Sequence, residues 1–74
     1  MDKKQACHRL ADFNEALYDT EKELENVRLK LLMEDDSSRK QWFEEAVERL
    51  QQQIVEIESR RQEFLSEYSD IIYS

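Results

Sequence analysis

Glycine and proline are both missing from the 74 residues. Without glycine the backbone has no easy access to positive φ, and without proline it has no fixed bend. Loop-rich folds and glycine loops that cradle phosphate are therefore excluded. The one cysteine, Cys7, cannot form an internal disulfide, which suits a reducing compartment. The one histidine, His8, has no second metal ligand at i+4 other than Asp12, so no metal site is expected. No apolar run is long enough to cross a membrane, and MDKKQACHRLADF lacks the apolar stretch of a signal peptide. The expected location is the cytoplasm. Positive charge is scarce too, with 11 Lys and Arg against 18 Asp and Glu and a net charge of −7. Nucleic acid and anionic membranes are not expected partners for such a chain.

What remains is 39% hydrophobic and 39% charged, a profile of long helices or a coiled coil. The length allows one small domain, residues 1–74. In the first half Ala6, Leu10, Phe13, Leu17, Leu24, Val27 and Leu31 alternate in steps of three and four, with Thr20 filling the gap. In the second half Phe43, Val47, Leu50, Ile54, Ile57, Phe64, Tyr68 and Ile71 do the same, interrupted by Arg61. Both are heptad patterns, with a at Leu10, Leu17, Leu24 and Leu31 and then at Val47, Ile54, Arg61 and Tyr68.

The halves are out of phase. Leu31 to Val47 is 16 residues, which no single stutter or stammer repairs. One continuous rod would turn its apolar seam away midway. In an antiparallel pair, an a residue shares a layer with a d residue, and opposed residue numbers share one total. That total is 74 for Leu31–Phe43, Val27–Val47, Leu24–Leu50, Thr20–Ile54, Leu17–Ile57, Phe13–Arg61, Leu10–Phe64 and Ala6–Tyr68. The centre falls in EDDSS. The spacing predicts an all-α, antiparallel two-helix hairpin with helices over 3–33 and 38–72.

Capping chemistry supports both helix starts. Asp2 with Gln5 and Ser38 with Gln41 have capping-box spacing, and Ser37 competes with Ser38 for the second cap. Asp35 and Asp36 favour the positive end of the second helix dipole. With no glycine to end the first helix, a left-handed residue there is expected to be Asp. Thr20 and Arg61 are the polar members of the seam. Arg61 is expected either to snorkel, stem packed and guanidinium reaching water or the Phe13 ring, or to pin the register.

A domain this small is short of core, so a third surface is expected. Cys7, Ala11, Tyr18 and Leu32 lie at e and b of the first helix, and Val55, Leu65 and Ile72 lie on the matching flank of the second. This flank is the expected partner-binding face. The opposite flank places Ala16, Met33, Trp42 and Ala46 among charged residues. A second patch, Leu29, Leu32, Met33 and Trp42, gathers near the turn. It either shields the last seam layer or makes contacts of its own.

No catalytic or cofactor-binding set emerges. Cys7 has no base arranged around it and reads as a small buried apolar residue, while Glu44–Glu45 and Asp35–Asp36 read as solvated surface and turn. The chain is not expected to be an enzyme or to hold a cofactor.

The run ELENVRLKLLMEDDSSRKQWFEEAVERLQQQIVEI combines a Leu-rich first arm ending in Leu-Met, a short acidic turn, an early Trp and a regular aliphatic second arm. Over residues 21–57 the chain resembles the small co-chaperones of bacterial type III secretion needle subunits, the YscE type. It differs in having no glycine in the turn and in its aromatic-rich tail from Phe64 to Tyr73. The resemblance implies a cytoplasmic protein that binds a helical-repeat chaperone, the two keeping a needle subunit soluble before export. The alternative is self-association into a four-helix bundle with a structural or regulatory role.

Overall fold

A computed structural model describes residues 1–74. It contains two helices, α1 from Lys3 to Met33 and α2 from Ser37 to Ile72, packed along their length. The hairpin measures 53 × 15 × 13 Å, which matches the length of α2 at about 1.5 Å per residue. Its radius of gyration is 16.6 Å, against about 11 Å for a compact domain of equal length. The antiparallel hairpin expected from the phase shift is the fold.

Both helix starts are fixed by aspartate. At α1, Asp2 Oδ1 accepts from Gln5 N at 2.8 Å and Gln5 Oε1 accepts from Asp2 N at 3.2 Å, closing the expected capping box. At α2 the cap is Asp36, not Ser38 or Ser37. Its Oδ1 accepts from Ser38 N at 2.9 Å and Arg39 N at 3.1 Å. The connection is thus Glu34, Asp35 and Asp36, and α2 begins one residue earlier than expected.

The left-handed Asp is not there. No residue has positive φ, and Glu34 ends α1 in extended geometry at φ −89°, ψ 132°. An extended exit suits a chain with no glycine, because every residue type reaches that region without strain. The Glu34 carboxylate accepts from Asp36 N at 3.1 Å and satisfies a donor left free by the exit.

The seam is strongest away from the turn. Ala6, Phe64 and Ile72 form a buried cluster with Leu10, Phe13, Leu65, Tyr68 and Ile71 packed around it. Phe13 and Phe64 lie 5.7 Å apart between ring centroids, and Phe64 and Tyr68 lie 4.8 Å apart. The three tilted rings close this end of the hairpin. Further along, Leu24 and Leu50, expected to face each other, are both buried. Leu31 and Phe43 beside the turn are only half-buried.

Two buried residues fall outside the heptad core positions. Ala46, assigned to the polar flank, is 5% exposed, and Ile72, assigned to the partner face, is 9% exposed. The physical reason is the mismatch between 3.6 residues per turn and a repeat of 3.5. The seam of an uncoiled helix drifts by ~20° per heptad. Along α2 the contact line moves from the Ala46 side near the turn to the Ile72 side at the far end.

The two polar seam residues find different partners. Thr20 Oγ1 donates to Ala16 O at 2.8 Å within its own helix, leaving its methyl to the seam. Arg61 Nε donates to Asn14 Oδ1 at 2.8 Å across the seam, with the Arg61 side chain half-buried. The guanidinium is therefore tied to the other helix. It makes the only side chain–side chain hydrogen bond between the arms.

Two stability outcomes follow from this packing. Asp36→Ala is expected to cost about 1 kcal/mol through loss of the α2 cap, while Ser38→Ala costs less than about 0.5 kcal/mol, both read by urea unfolding. Ala46→Leu is expected to cost about 1–3 kcal/mol, because the drifted seam has no room for the added carbons. A heptad-locked seam would leave that position outside the core and tolerant.

Candidate functional site

The expected partner face divides into three parts. Cys7, Ala11, Tyr18 and Leu32 on α1 are exposed, as is Val55 on α2. Leu65 is half-buried against the aromatic cluster. Ile72 is inside the core, so it is withdrawn from the face. Seam drift is again the cause: it carries e positions near the far end of α2 into the helix contact. Most of the exposed face therefore lies on α1, with Val55 remaining on α2. Cys7, expected to be small and buried, is a free exposed thiol.

Advancing ~100° per residue along α1 shows what belongs together. Cys7, Ala11, Tyr18, Leu29 and Leu32 lie within about 40° of one direction, and Met33 lies within about 60°. The seam residues Leu10, Leu17, Leu24 and Leu31 lie about 80–140° away, all to one side. The exposed apolar side chains therefore line the outward face of α1, interleaved with Glu15, Lys22 and Glu25. Leu29 was grouped with the turn patch alone, but it shares the Tyr18 face. Positions b and f are neighbours on the outer side of a heptad wheel, and a straight-helix count brings Leu29 and Tyr18 closer still.

The exposures are large where they matter. Leu32 is 83% and Met33 82% exposed, with Tyr18 at 64% and Trp42 at 61%. Leu29 and Val55 are also more than half exposed. Leu29, Leu32 and Met33 stand at i, i+3 and i+4, so the last turn of α1 presents a compact apolar surface. Trp42 lies at the same height on α2 and packs edge-on against Phe43, with centroids 5.2 Å apart. Of the two readings for the turn patch, shielding of the last layer does not describe Leu32 and Met33, which cover almost nothing. Only Trp42 leans on that layer.

Charge lies both among these residues and beyond them. Lys22 Nζ sits 5.9 Å from the Tyr18 ring centroid, a cation–π distance. Glu34, Asp35 and Asp36 form an acidic rim beyond Met33. The surface hollows are open grooves lined mostly by polar or charged side chains, such as the one between Glu45, Glu48, Arg49, Gln52 and Val55. No three His, Cys, Asp or Glu side chains are grouped as a metal-binding set, and no helix is long and apolar enough to cross a membrane. What this surface can do chemically is bury apolar area against another molecule.

No family model, curated protein or solved structure matches the chain. The outer face of α1 is therefore defined by its own geometry alone.

Charge placed on the two halves of the expected face separates them. Ile72→Glu is expected to lower the melting temperature by several degrees, since it buries a carboxylate in the aromatic cluster. Leu32→Glu is expected to leave melting within about 2 °C of the parent, because the side chain is already in water. Circular dichroism melts of the two variants provide the comparison.

Proposed function

We propose that the chain is a non-enzymatic protein–protein interaction module that docks another protein through the outward face of α1. The observation that carries this reading is the cluster Leu29, Leu32 and Met33, with Tyr18 further along the same face, all exposed on a helix whose other side is already in use. A helix offering apolar residues at i, i+3 and i+4 is suited to a groove on a partner. Grouped apolar side chains in water are a common mark of association surfaces.

The resemblance over residues 21–57 gives this reading a finer form. The protein acts in the cytoplasm as a co-chaperone of the YscE type, its partner is a helical-repeat chaperone, and the pair keeps a type III secretion needle subunit soluble before export. A superhelical array of helix pairs has a concave surface into which a convex helix face fits. In this form the hairpin supplies a prefolded helix and covers apolar surface that the larger chaperone would otherwise expose. The competing form is a self-associating hairpin in a four-helix bundle.

The test is co-purification of tagged wild-type and variant chains from cells of the native host, with helicity measured in parallel. Leu29→Glu and Leu32→Glu are each expected to reduce recovery of the partner by at least about tenfold at unchanged helicity, since a carboxylate is desolvated at the contact without a counter-ion. Gln62→Glu, on exposed α2 surface, is expected to change recovery little. Undiminished recovery with both α1 variants would move the docking surface elsewhere, with Trp42 next in line.

A further inference from the structure

The outward stripe of α1 is complementary to itself. If a second α1 is laid antiparallel against it about a twofold axis beside Tyr18, facing residue numbers total 36 or 37. Tyr18 then meets Tyr18 of the second copy. Small Cys7 meets large Leu29, and Glu15 meets Lys22 on the same edge of the stripe. Twofold symmetry repeats each unlike contact, giving two Glu15–Lys22 pairs and two Cys7–Leu29 contacts. All of these side chains are exposed in the single hairpin. Lys22 already lies 5.9 Å from the Tyr18 ring centroid, so its charge is held close to the axis.

Other alignments of the same stripe do worse. A parallel pairing carries Glu15 and Lys22 to opposite edges in the two copies, so no Glu15–Lys22 pair forms. An antiparallel slip of one heptad sets Tyr18 against Glu25 or Ala11 and parts Glu15 from Lys22. In the favoured register Ala11 faces Glu25, where its small side chain leaves room for the Glu25 stem to lie flat and its carboxylate to reach water.

From this complementarity of charge and size we infer that the outward face of α1, when no other protein occupies it, binds a second copy of the chain. The two hairpins form an antiparallel α1–α1 dimer with its twofold axis beside Tyr18. This rests on the reading of that face as the docking surface and adds the identity of one occupant. A foreign partner then binds by displacing the second copy, so self-association and capture compete for the same residues.

Light scattering and sedimentation of the full chain at low ionic strength test the pairing. Glu15→Lys and Lys22→Glu are each expected to weaken the dimer by about tenfold or more, because each converts two unlike pairs into two like pairs. The combined variant Glu15→Lys/Lys22→Glu is expected to recover the parent affinity within about threefold, as a swapped pair should. Both positions are exposed, so helicity stays at the parent level in all three.

A cross-link fixes the geometry. Tyr18→Cys in a Cys7→Ala background is expected to give a disulfide-linked dimer on mild oxidation. The parent, whose two Cys7 residues would lie about 33 Å apart along the axis, is expected not to cross-link. A chain that stays monomeric at high concentration would overturn the inference, and so would failure of the double swap to restore association or ready Cys7–Cys7 cross-linking. If the chain is monomeric throughout and Leu29→Glu still loses a foreign partner, self-pairing fails while the docking face stands.

Discussion

Two helices in contact can bury only one stripe apiece, and that constraint governs this molecule. Six residues are buried: Ala6, Leu24, Ala46, Leu50, Phe64 and Ile72. The remaining surface of both helices stays in water, so each apolar side chain beyond the stripe is exposed whatever its size. The constraint is tightened by the absence of a long supercoil-locked repeat. As the contact line drifts by ~20° per heptad, it takes in Ala46 at one end and Ile72 at the other. An interrupted heptad pattern, with Thr20 and Arg61 in core positions, lets the helices keep their own period. Arg61 meets the need for polar satisfaction by reaching Asn14 on the other arm.

The same economy shapes the turn. A chain without glycine or proline has to reverse direction using residues that stay at negative φ, and here three acidic residues do it. Glu34 leaves the helix in extended geometry, Asp36 caps the next helix, and the Glu34 carboxylate accepts from Asp36 N. Asp36 sits at the positive end of the α2 dipole, where its charge is favourable, while Glu34 sits at the negative end of the α1 dipole. At the opposite end Lys3 Nζ donates to Ser74 O at 2.8 Å, joining the two outer ends of the arms.

Much of this was legible in the sequence, and the misses in packing share a cause. The bounds of α1 followed from the Asp2–Gln5 box and the end of the Leu-rich run, and Leu24 facing Leu50 followed from the constant residue total. The start of α2 was placed one residue late because layer counting locates a centre only to within a residue or two. Asp36 also competes with Ser37 and Ser38 for the cap on nearly equal terms. Ile72 and Ala46 were misplaced for one reason: a heptad wheel holds phase fixed, while a real helix advances 3.6 residues per turn. Correcting that phase removed Ile72 from the expected binding face and left Val55 exposed and Leu65 half-buried. Exposure of Cys7 has the same origin, since e on α1 lies on the side from which the seam recedes.

Function then depends on which surface the hairpin leaves uncovered, and that surface exists only if the chain turns back at Glu34–Asp36. A continuous rod would place Tyr18 and Leu29 on a different boundary between seam and solvent. Spin labels at Glu23 and Gln51, both exposed and both away from the outward stripe of α1, read the fold directly in samples diluted with unlabelled protein. The hairpin places the labels on neighbouring helices, with an expected separation under about 25 Å, given helix axes ~8–10 Å apart and flexible label arms. A distance near 42 Å, about the rise of an unbroken helix between these positions, would contradict the fold and the proposed docking face built on it.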